Sequence, residues 1–314
     1  MRFLRTVAWQ LALGFLAAWA VLTAVFAFFT FTRDWVMERQ EGFLRWGGAD
    51  EEEIQRAQEE YLASHGLDRP YWEQYVDWMG SMLTLEWGAS LRTGEAVFPL
   101  VMDATARTAM YVLPAIVLGL LVGVLVGLYA AMYPDSRLAN AGLGTGYLLF
   151  ALPNFWLGGI LLSFTEGEVI SYSPLLFEHA LPILLTATTL LGGYVSYSRA
   201  HAAEYVSADF VTLVKAKGAG PLRTASHVVR NAAIPLFSML FTEALALLLL
   251  AVFVIEFLFG IDGLGMVLFV AIQERDLPVL LGGMMVVIGV GVLGNIVQDL
   301  SYGMLDPRVD TGTR

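Results

Sequence analysis

The stretch A-M-Y-V-L-P-A-I-V-L-G-L-L-V-G-V-L-V-G-L-Y-A-A-M-Y, residues 109–133, carries no charged side chain. A helix that crosses a bilayer needs about 20 predominantly apolar residues, so this stretch is long enough to span a membrane. Gly119, Gly123 and Gly127 recur every four residues within it, which predicts one face on which a second helix packs closely. The stretch therefore favours a bundle of membrane helices as the fold.

Five further stretches of comparable length are apolar, and only one of them contains an acidic residue. They are residues 7–31, 138–165, 180–198, 231–255 and 277–298. Pro153 lies in the third of the six spans and predicts a kink or an interruption there. The first stretch continues to Phe31, which is too long for a secretory signal, so we expect an uncleaved first span.

The composition supports the same class of protein. Of 314 residues, 57% are hydrophobic and 15% are charged, and the mean hydropathy is +0.64, whereas soluble domains have about 25% charged residues. A soluble enzyme and a disordered chain are therefore excluded. The net charge of −11 argues against binding to nucleic acid. Only two basic residues are lysines, and such acidic, lysine-poor chains predict a halophilic source, with ordinary drift as the alternative.

No pattern in the sequence points to bond chemistry. The chain has no cysteine and four scattered histidines, which disfavours a metal site and a thiol nucleophile. The phosphate-binding loop motif and the common hydrolase motifs are absent as well. We therefore expect no catalytic residue, no metal and no bound cofactor on this chain.

Basic residues set the expected orientation. Arg2 and Arg5 precede the first span, Arg137 follows the second, and the connection after the fourth span is strongly basic, whereas the alternate connections are acidic. By the positive-inside rule, both termini are predicted to be cytoplasmic. The predicted divisions are a cytoplasmic N-terminus with the first span (1–31), an extracellular helical insertion (32–108), a five-span core (109–304) with a cytoplasmic coupling loop (199–232), and a cytoplasmic tail (305–314).

Two amphipathic helices are predicted in the extracellular insertion. Asp50 followed by Glu53 forms a capping-box pattern that begins the first helix, and Gly66 is suited to end it. Pro70 stands where a second helix would begin. The many Trp and Tyr residues predict that these helices lie at the membrane interface or pack on the spans.

Glu243 is an acidic residue near the middle of the fifth predicted span. A charge there costs at least ~2.5 kcal/mol on insertion scales, so the side chain is expected to face the protein interior or a water-filled path. Three roles stay open at this point. Glu243 meets a substrate, relays protons, or is a buried group bonded to a neighbouring hydroxyl.

The cytoplasmic stretch from Arg199 to Pro235 is the longest basic connection. Ser207 is predicted to cap a helix that runs through Lys217, and Gly218 with Gly220 and Pro221 predicts a turn into a second helix. The polar faces of such a helical pair have no partner within the bilayer. The stretch therefore predicts a cytoplasmic docking surface.

Motifs along nearly the whole chain resemble those of one family. Ala216-Lys217-Gly218 matches an A-K-G motif, and His227 to Asn231 matches H-x-x-R-N, both in the coupling loop of ATP-binding-cassette importer permeases of the dipeptide/oligopeptide and nickel transport family. The other matching segments are Gly66–Pro70 with Tyr75, Gly88–Ser90, Phe259–Gly265, Glu274–Pro278 and the tail from Asn295 to Arg308. The long insertion after the first span resembles the first of the two paired permease subunits.

This resemblance implies an all-α polytopic membrane protein with six transmembrane helices and a cytoplasmic coupling helix, which imports di- or oligopeptides by alternating access. The implied partners are a second homologous permease, two cytoplasmic ATPases that carry ATP and Mg, an extracellular substrate-binding protein and membrane lipid. The residues implied in ATPase coupling are Ala216, Lys217, Gly218, His227, Arg230 and Asn231. Glu243 is assigned to the translocation path. A secondary ion-coupled transporter with Glu243 as its proton site is the alternative, and the family's substrates also include nickel chelates and sugars.

Overall fold

A computed structural model describes residues 2–32, 34–64, 66–166, 171–229 and 252–305. These residues are mainly helical, and the only extended pairing among them is an isolated antiparallel bridge between Ala89 and Ala96. The chain divides into two units, residues 1–88 and 89–314. The all-α fold class predicted from the sequence is confirmed.

The first unit contains the first predicted span and most of the predicted insertion. Its helices are α1 (Arg2–Phe31), α2 (Trp35–Trp46), α3 (Glu51–Ser64) and α4 (Tyr71–Thr84). Within this unit, Thr23 and Tyr75 share a hydrogen bond of 2.8 Å between their hydroxyl oxygens. Phe26 packs edge-on against the Tyr75 ring at 5.2 Å. These contacts join α4 to the C-terminal half of α1.

Local sequence signals explain the helix ends of this unit. The Asp50 carboxylate accepts a hydrogen bond of 2.8 Å from the Glu53 backbone N–H, as the capping pattern predicted. Gly66 follows α3 with φ +65°, a left-handed conformation that suits glycine. The sequence analysis missed α2, whose N-cap Asp34 accepts from the backbone N–H groups of Val36 and Met37.

The second unit contains the remaining helices. They are α5 (Val97–Met132), α6 (Arg137–Ala151), α7 (Asn154–Glu166), a π-helical segment (Leu175–Ala180) continuous with α8 (Leu181–Val206), α9 (Asp209–Ala216), α10 (221–229), α11 (Val252–Phe259), α12 (Leu264–Gln273) and α13 (Leu277–Leu305). Helix α5 begins at Val97, so the last residues assigned to the insertion (32–108) belong to the second span's helix.

Four of the described helices are long and apolar enough to cross a membrane, or up to six if each of two bent pairs counts as one span. One bent pair is α6 and α7, which meet at 86°. Pro153 lies at this break, so the predicted interruption is confirmed. The other pair is α11 and α12, which meet at 87°. Residues 231–251 of the predicted fifth span lie outside the described residues.

Helix α12 corrects the sequence analysis, which assigned residues 256–276 to a connecting loop. Ten of these residues form a helix, Leu264–Gln273, whose N-cap is Gly263. Leu268 on α12 lies against Gly283 on α13, where a Cβ would overlap the leucine side chain. The segment is apolar but too short to span a bilayer alone, which is why a search for long spans passed over it.

The predicted glycine face of the second span packs against α8. A Cβ at Gly119, Gly123 or Gly127 would come within 3.3 Å of atoms of α8. The Ser198 hydroxyl donates a hydrogen bond of 3.0 Å to the Gly123 carbonyl oxygen, across this seam. The close approach predicted from the glycine spacing is therefore confirmed.

The glycines of the third and sixth spans differ in their contacts. A Cβ at Gly142 would meet Val126 and one at Gly146 would meet Val195, so these two glycines seat α6 on its neighbours. In contrast, Gly144, Gly289 and Gly291 have no atom of the described chain within 4 Å of a built Cβ. These three glycines make no close contact within the described part of the chain.

We expect Gly127→Ala to destabilise the chain, because its Cβ would lie 2.6 Å from the Val195 carbonyl oxygen and 2.8 Å from the Arg199 backbone nitrogen. Backbone atoms yield little, so the predicted cost is about 1–3 kcal/mol. Gly144→Ala is the matched control and should unfold at or above the wild-type temperature. Thermal unfolding of the purified protein in detergent measures both, and equal midpoints would contradict the packing argument.

Candidate functional site

The segment predicted to be cytoplasmic consists of α9, a glycine turn and α10. Helix α9 ends at Ala216, and Gly218 follows with φ +78°. The Gly218 N–H donates to the Lys215 carbonyl at 2.9 Å and the Ala219 N–H donates to the Val214 carbonyl at 3.3 Å. This left-handed glycine closes α9 and turns the chain into α10.

The predicted start of this segment needs a correction. Ser207 does not cap α9, because its hydroxyl donates back to the carbonyl oxygens of Ala203 and Glu204 at the end of α8. Helix α9 begins at Asp209, and its N-cap residue Ala208 provides no side-chain hydrogen bond. Asp209 in the first turn instead places a negative charge near the positive end of the helix dipole.

One face of the segment is fixed to the spans. Val211 of α9 and Val228 of α10 are buried with Leu128 of α5 and Ala202 of α8 in one apolar cluster. These valines are 1% and 0% exposed, so both short helices rest on the ends of two long ones. Both short helices therefore pack directly on α5 and α8.

The other face of the segment is exposed and contains the predicted coupling residues. Ala216, Lys217, Gly218 and His227 all lie on this exposed face. Leu222 at the start of α10 is 88% exposed. Arg230, Asn231 and Glu243, the other three predicted site residues, lie outside the described residues.

The sequence analysis missed a buried glutamate at the bend between α11 and α12. Glu256 is 0% exposed. Its Oε1 accepts hydrogen bonds from the Thr108 hydroxyl at 2.5 Å and the Tyr111 hydroxyl at 3.1 Å. Its Oε2 accepts from the Met266 backbone N–H at 2.7 Å. Each of these partners is a donor, which is what an acceptor-only carboxylate needs when it is buried.

Glu256 acts as the missing cap of α12. The helix has no capping side chain at Gly263. The Glu256 carboxylate instead accepts hydrogen bonds from the free backbone N–H groups of its first turn. Thr108 completes the arrangement, because its oxygen accepts from the Leu264 N–H at 2.7 Å. A Cβ at Gly263 would overlap the carboxylate. The signal in the sequence is a glutamate followed by Gly263 and Gly265.

A second buried carboxylate lies at the far end of α12. Asp276 is 3% exposed and accepts hydrogen bonds from the Ser90 hydroxyl at 2.5 Å and from the backbone N–H groups of Leu91 and Arg92 at 3.2 and 3.3 Å. Ser90 and Asp276 belong to the matching segments Gly88–Ser90 and Glu274–Pro278, which are far apart in the sequence, and they meet here. Asp276 fixes the loop before α5 to the start of α13.

A cavity of about 390 Å³ lies beside the Ser90–Asp276 cluster. Its walls come from the loop before α5, the first turns of α5, α12 and the start of α13. The charged side chains that line it, apart from Asp276, are Arg92, Glu95, Asp103, Arg107 and Asp262. No group of three or more His, Cys, Asp or Glu residues within the described ranges is placed to hold a metal ion.

Comparisons with known proteins agree on one class. Residues 123–311 match the family described as binding-protein-dependent transport system inner membrane component. The chain is 27% identical over 272 residues to the oligopeptide transport system permease protein AppB of Bacillus subtilis. The aligned region covers 82% of this chain and 86% of AppB.

Two other relatives are similar over comparable lengths. The dipeptide transport system permease protein DppB of Escherichia coli is 25% identical over 79% of this chain and 84% of its own length. The metal-staphylopine import system permease protein CntB of Staphylococcus aureus is 25% identical over 80% of this chain and 81% of its own.

We expect Glu256→Gln to destabilise the second unit, although it preserves size. Glutamine has one acceptor oxygen, so its amide N–H₂ would face either the Met266 N–H or the two hydroxyls. A buried donor left unsatisfied costs about 1–3 kcal/mol. Asp262→Asn, on the same turn but exposed, is the control and should be within about 0.5 kcal/mol of wild type. Thermal unfolding measures both, and a neutral Glu256→Gln variant would refute the capping role.

Proposed function

Because the chain belongs to the family of binding-protein-dependent transport system inner membrane components, we propose that it is the transmembrane permease subunit of an ATP-driven importer that moves di- or oligopeptides into the cell. The observation that supports this best is the similarity to peptide permeases over about four fifths of the chain. The chain is a transport subunit and not an enzyme. It lies in the plasma membrane as a multi-pass protein.

The proposed partners follow from this role. A second, homologous permease completes the pathway, with this chain as the first of the pair. Two cytoplasmic ATPases bind ATP and Mg and hydrolyse the nucleotide, and an extracellular protein delivers the substrate. Alternating access then requires that the ATPases favour one packing of the spans over another through a physical contact.

The segment α9–α10 is the proposed contact with an ATPase. Its buried valines tie it to α5 and α8, and its exposed face presents Ala216, Lys217, Gly218 and His227. Arg230 and Asn231 complete the proposed coupling set on the strength of the family motif. The positive charge of Lys215, Lys217 and Arg223 on this face suits a partner with acidic residues at its docking cleft.

Glu243 stays a proposed residue of the translocation path. The argument for it is the cost of a charged group in the middle of a span, which favours a wet or protein-lined position. A fixed anion there attracts the terminal ammonium group of a passing peptide more strongly than it would in bulk water, since the local dielectric constant is lower.

The first prediction of this proposal concerns Gly218. A valine is strained at φ +78°, because left-handed backbone is costly for β-branched residues. We expect Gly218→Val to displace the exposed face, so that peptide uptake falls at least about tenfold (an energetic cost near 1.4 kcal/mol) while ATP hydrolysis continues. Gly220→Ala is the matched control, since a Cβ there has open space and ordinary φ. Uptake of labelled peptide in cells measures this, and normal uptake by Gly218→Val would refute the coupling role.

The second prediction concerns orientation. The chain has no native cysteine, so single cysteines report their own side of the membrane. We expect Ser64→Cys to react with an impermeant thiol reagent from outside intact cells, and Ser207→Cys to react only after the cells are opened. Both positions are exposed. Labelling of Ser207→Cys in intact cells would contradict cytoplasmic termini.

A further inference from the structure

The cavity beside α12 is lined by charged side chains that form no ion pair within the described part of the chain. Ser90 and Asp276 bond to one another at its edge, but the other charged side chains of its wall are exposed. None of the five takes part in an ion pair among the residues that the structure describes. Charged side chains that line a cavity with apolar residues and have no ion-pair partner are available to a ligand.

The two signs of charge are both present on this wall. Arg92 lies on the loop before α5, and Arg107 lies further along α5, where one guanidinium nitrogen donates to the Asp262 carbonyl oxygen at 3.1 Å. That bond uses one of five N–H donors, so the fork of Arg107 can still bind a carboxylate. Asp103 lies one helical turn before Arg107 on the same face of α5.

The rest of the wall is apolar. Met266, Val267 and Val270 of α12 contribute to it. A cavity of about 390 Å³ is within the range of roughly 300–1,000 Å³ that holds small ligands. The cavity therefore offers an anion site, a cation site and an apolar surface within one small volume.

We propose that this cavity binds a short peptide by both of its charged ends, during its passage into the translocation path. The peptide's terminal carboxylate binds Arg107 and Arg92, its terminal ammonium binds Asp103 with help from Glu95, and an apolar side chain packs on α12. This proposal rests on the proposed peptide importer function and assigns a site to it. Glu256 and Asp276 hold the two ends of α12, so the apolar wall is rigid before the ligand arrives.

A cysteine protection experiment tests the site in membranes that contain the whole importer. Val267→Cys places a thiol on the wall, and cysteine is a small apolar residue that the position accommodates. We expect the dipeptide Leu-Phe to slow labelling of this thiol by an impermeant maleimide. N-acetyl-Leu-Phe and Leu-Phe amide should each protect less, because each lacks one charged end.

Variants then locate the two ends of the peptide. Adding Arg107→Gln should raise the Leu-Phe concentration for half protection about tenfold, the effect of one charge-assisted hydrogen bond, and should not change that for Leu-Phe amide. Asp103→Asn should have the same effect on Leu-Phe and none on N-acetyl-Leu-Phe. Arg137→Gln, exposed on α6, is the charge-matched control, and Ser64→Cys is the control for non-specific protection.

The outcomes separate the site from the function. If Leu-Phe is taken up but does not protect Val267→Cys at concentrations that saturate uptake, the site is wrong and the importer function stands. If N-acetyl-Leu-Phe and Leu-Phe amide protect the thiol as well as Leu-Phe does, the proposed recognition of the charged ends is wrong. If only the extracellular binding protein protects the thiol, the cavity is a docking site for that protein and the proposal is overturned. If peptide uptake does not depend on this chain, the proposed function itself fails.

Discussion

The buried carboxylate of Glu256 is the constraint on which the packing of α5, α11 and α12 depends. A helix that begins inside a membrane protein needs acceptors for its first N–H groups, and α12 has no capping side chain of its own. Glu256 provides the acceptor, and the hydroxyls of Thr108 and Tyr111 satisfy its other oxygen. Without it, the 87° bend between α11 and α12 would leave polar groups unpaired, so one residue fixes α5, α11 and α12 together.

Helix α5 connects the Glu256 cluster to the segment α9–α10. It is 36 residues long, which corresponds to about 54 Å at 1.5 Å per residue. Its first turns carry Asp103, Arg107 and Thr108. Its last turns carry Leu128, which belongs to the apolar cluster that α9 and α10 pack into. Between these ends, the glycine seam holds it against α8. Helix α5 is therefore the element that contacts the segment α9–α10 at one end and lines the polar cavity at the other.

Much of this fold could be predicted from the sequence, because apolar length and glycine spacing report membrane helices and their packing directly. Pro153 predicted the break between α6 and α7, and Gly218 predicted the turn after α9. What failed depended on tertiary contact. The apolar segment 264–273 is too short to be recognised as a span. Glu256 directly follows a long apolar stretch, so the sequence alone indicated that a loop begins there. Ser207 could cap a helix by its type alone, but its hydroxyl found carbonyl oxygens of α8 instead.

The acidic residues of the second unit differ in a way that residue type does not reveal. Glu256 and Asp276 are buried, and donors surround both, so a change there removes a structural link. Glu95, Asp103 and Asp262 are exposed around a cavity, and they have no ion-pair partner among the described residues. A buried carboxylate that already accepts hydrogen bonds from protein donors has no room for a ligand's ammonium group, whereas an exposed one can exchange water for that partner. The structural carboxylates therefore lie at the two ends of α12, whereas the carboxylates that a ligand can reach lie on α5 and in the loops beside it.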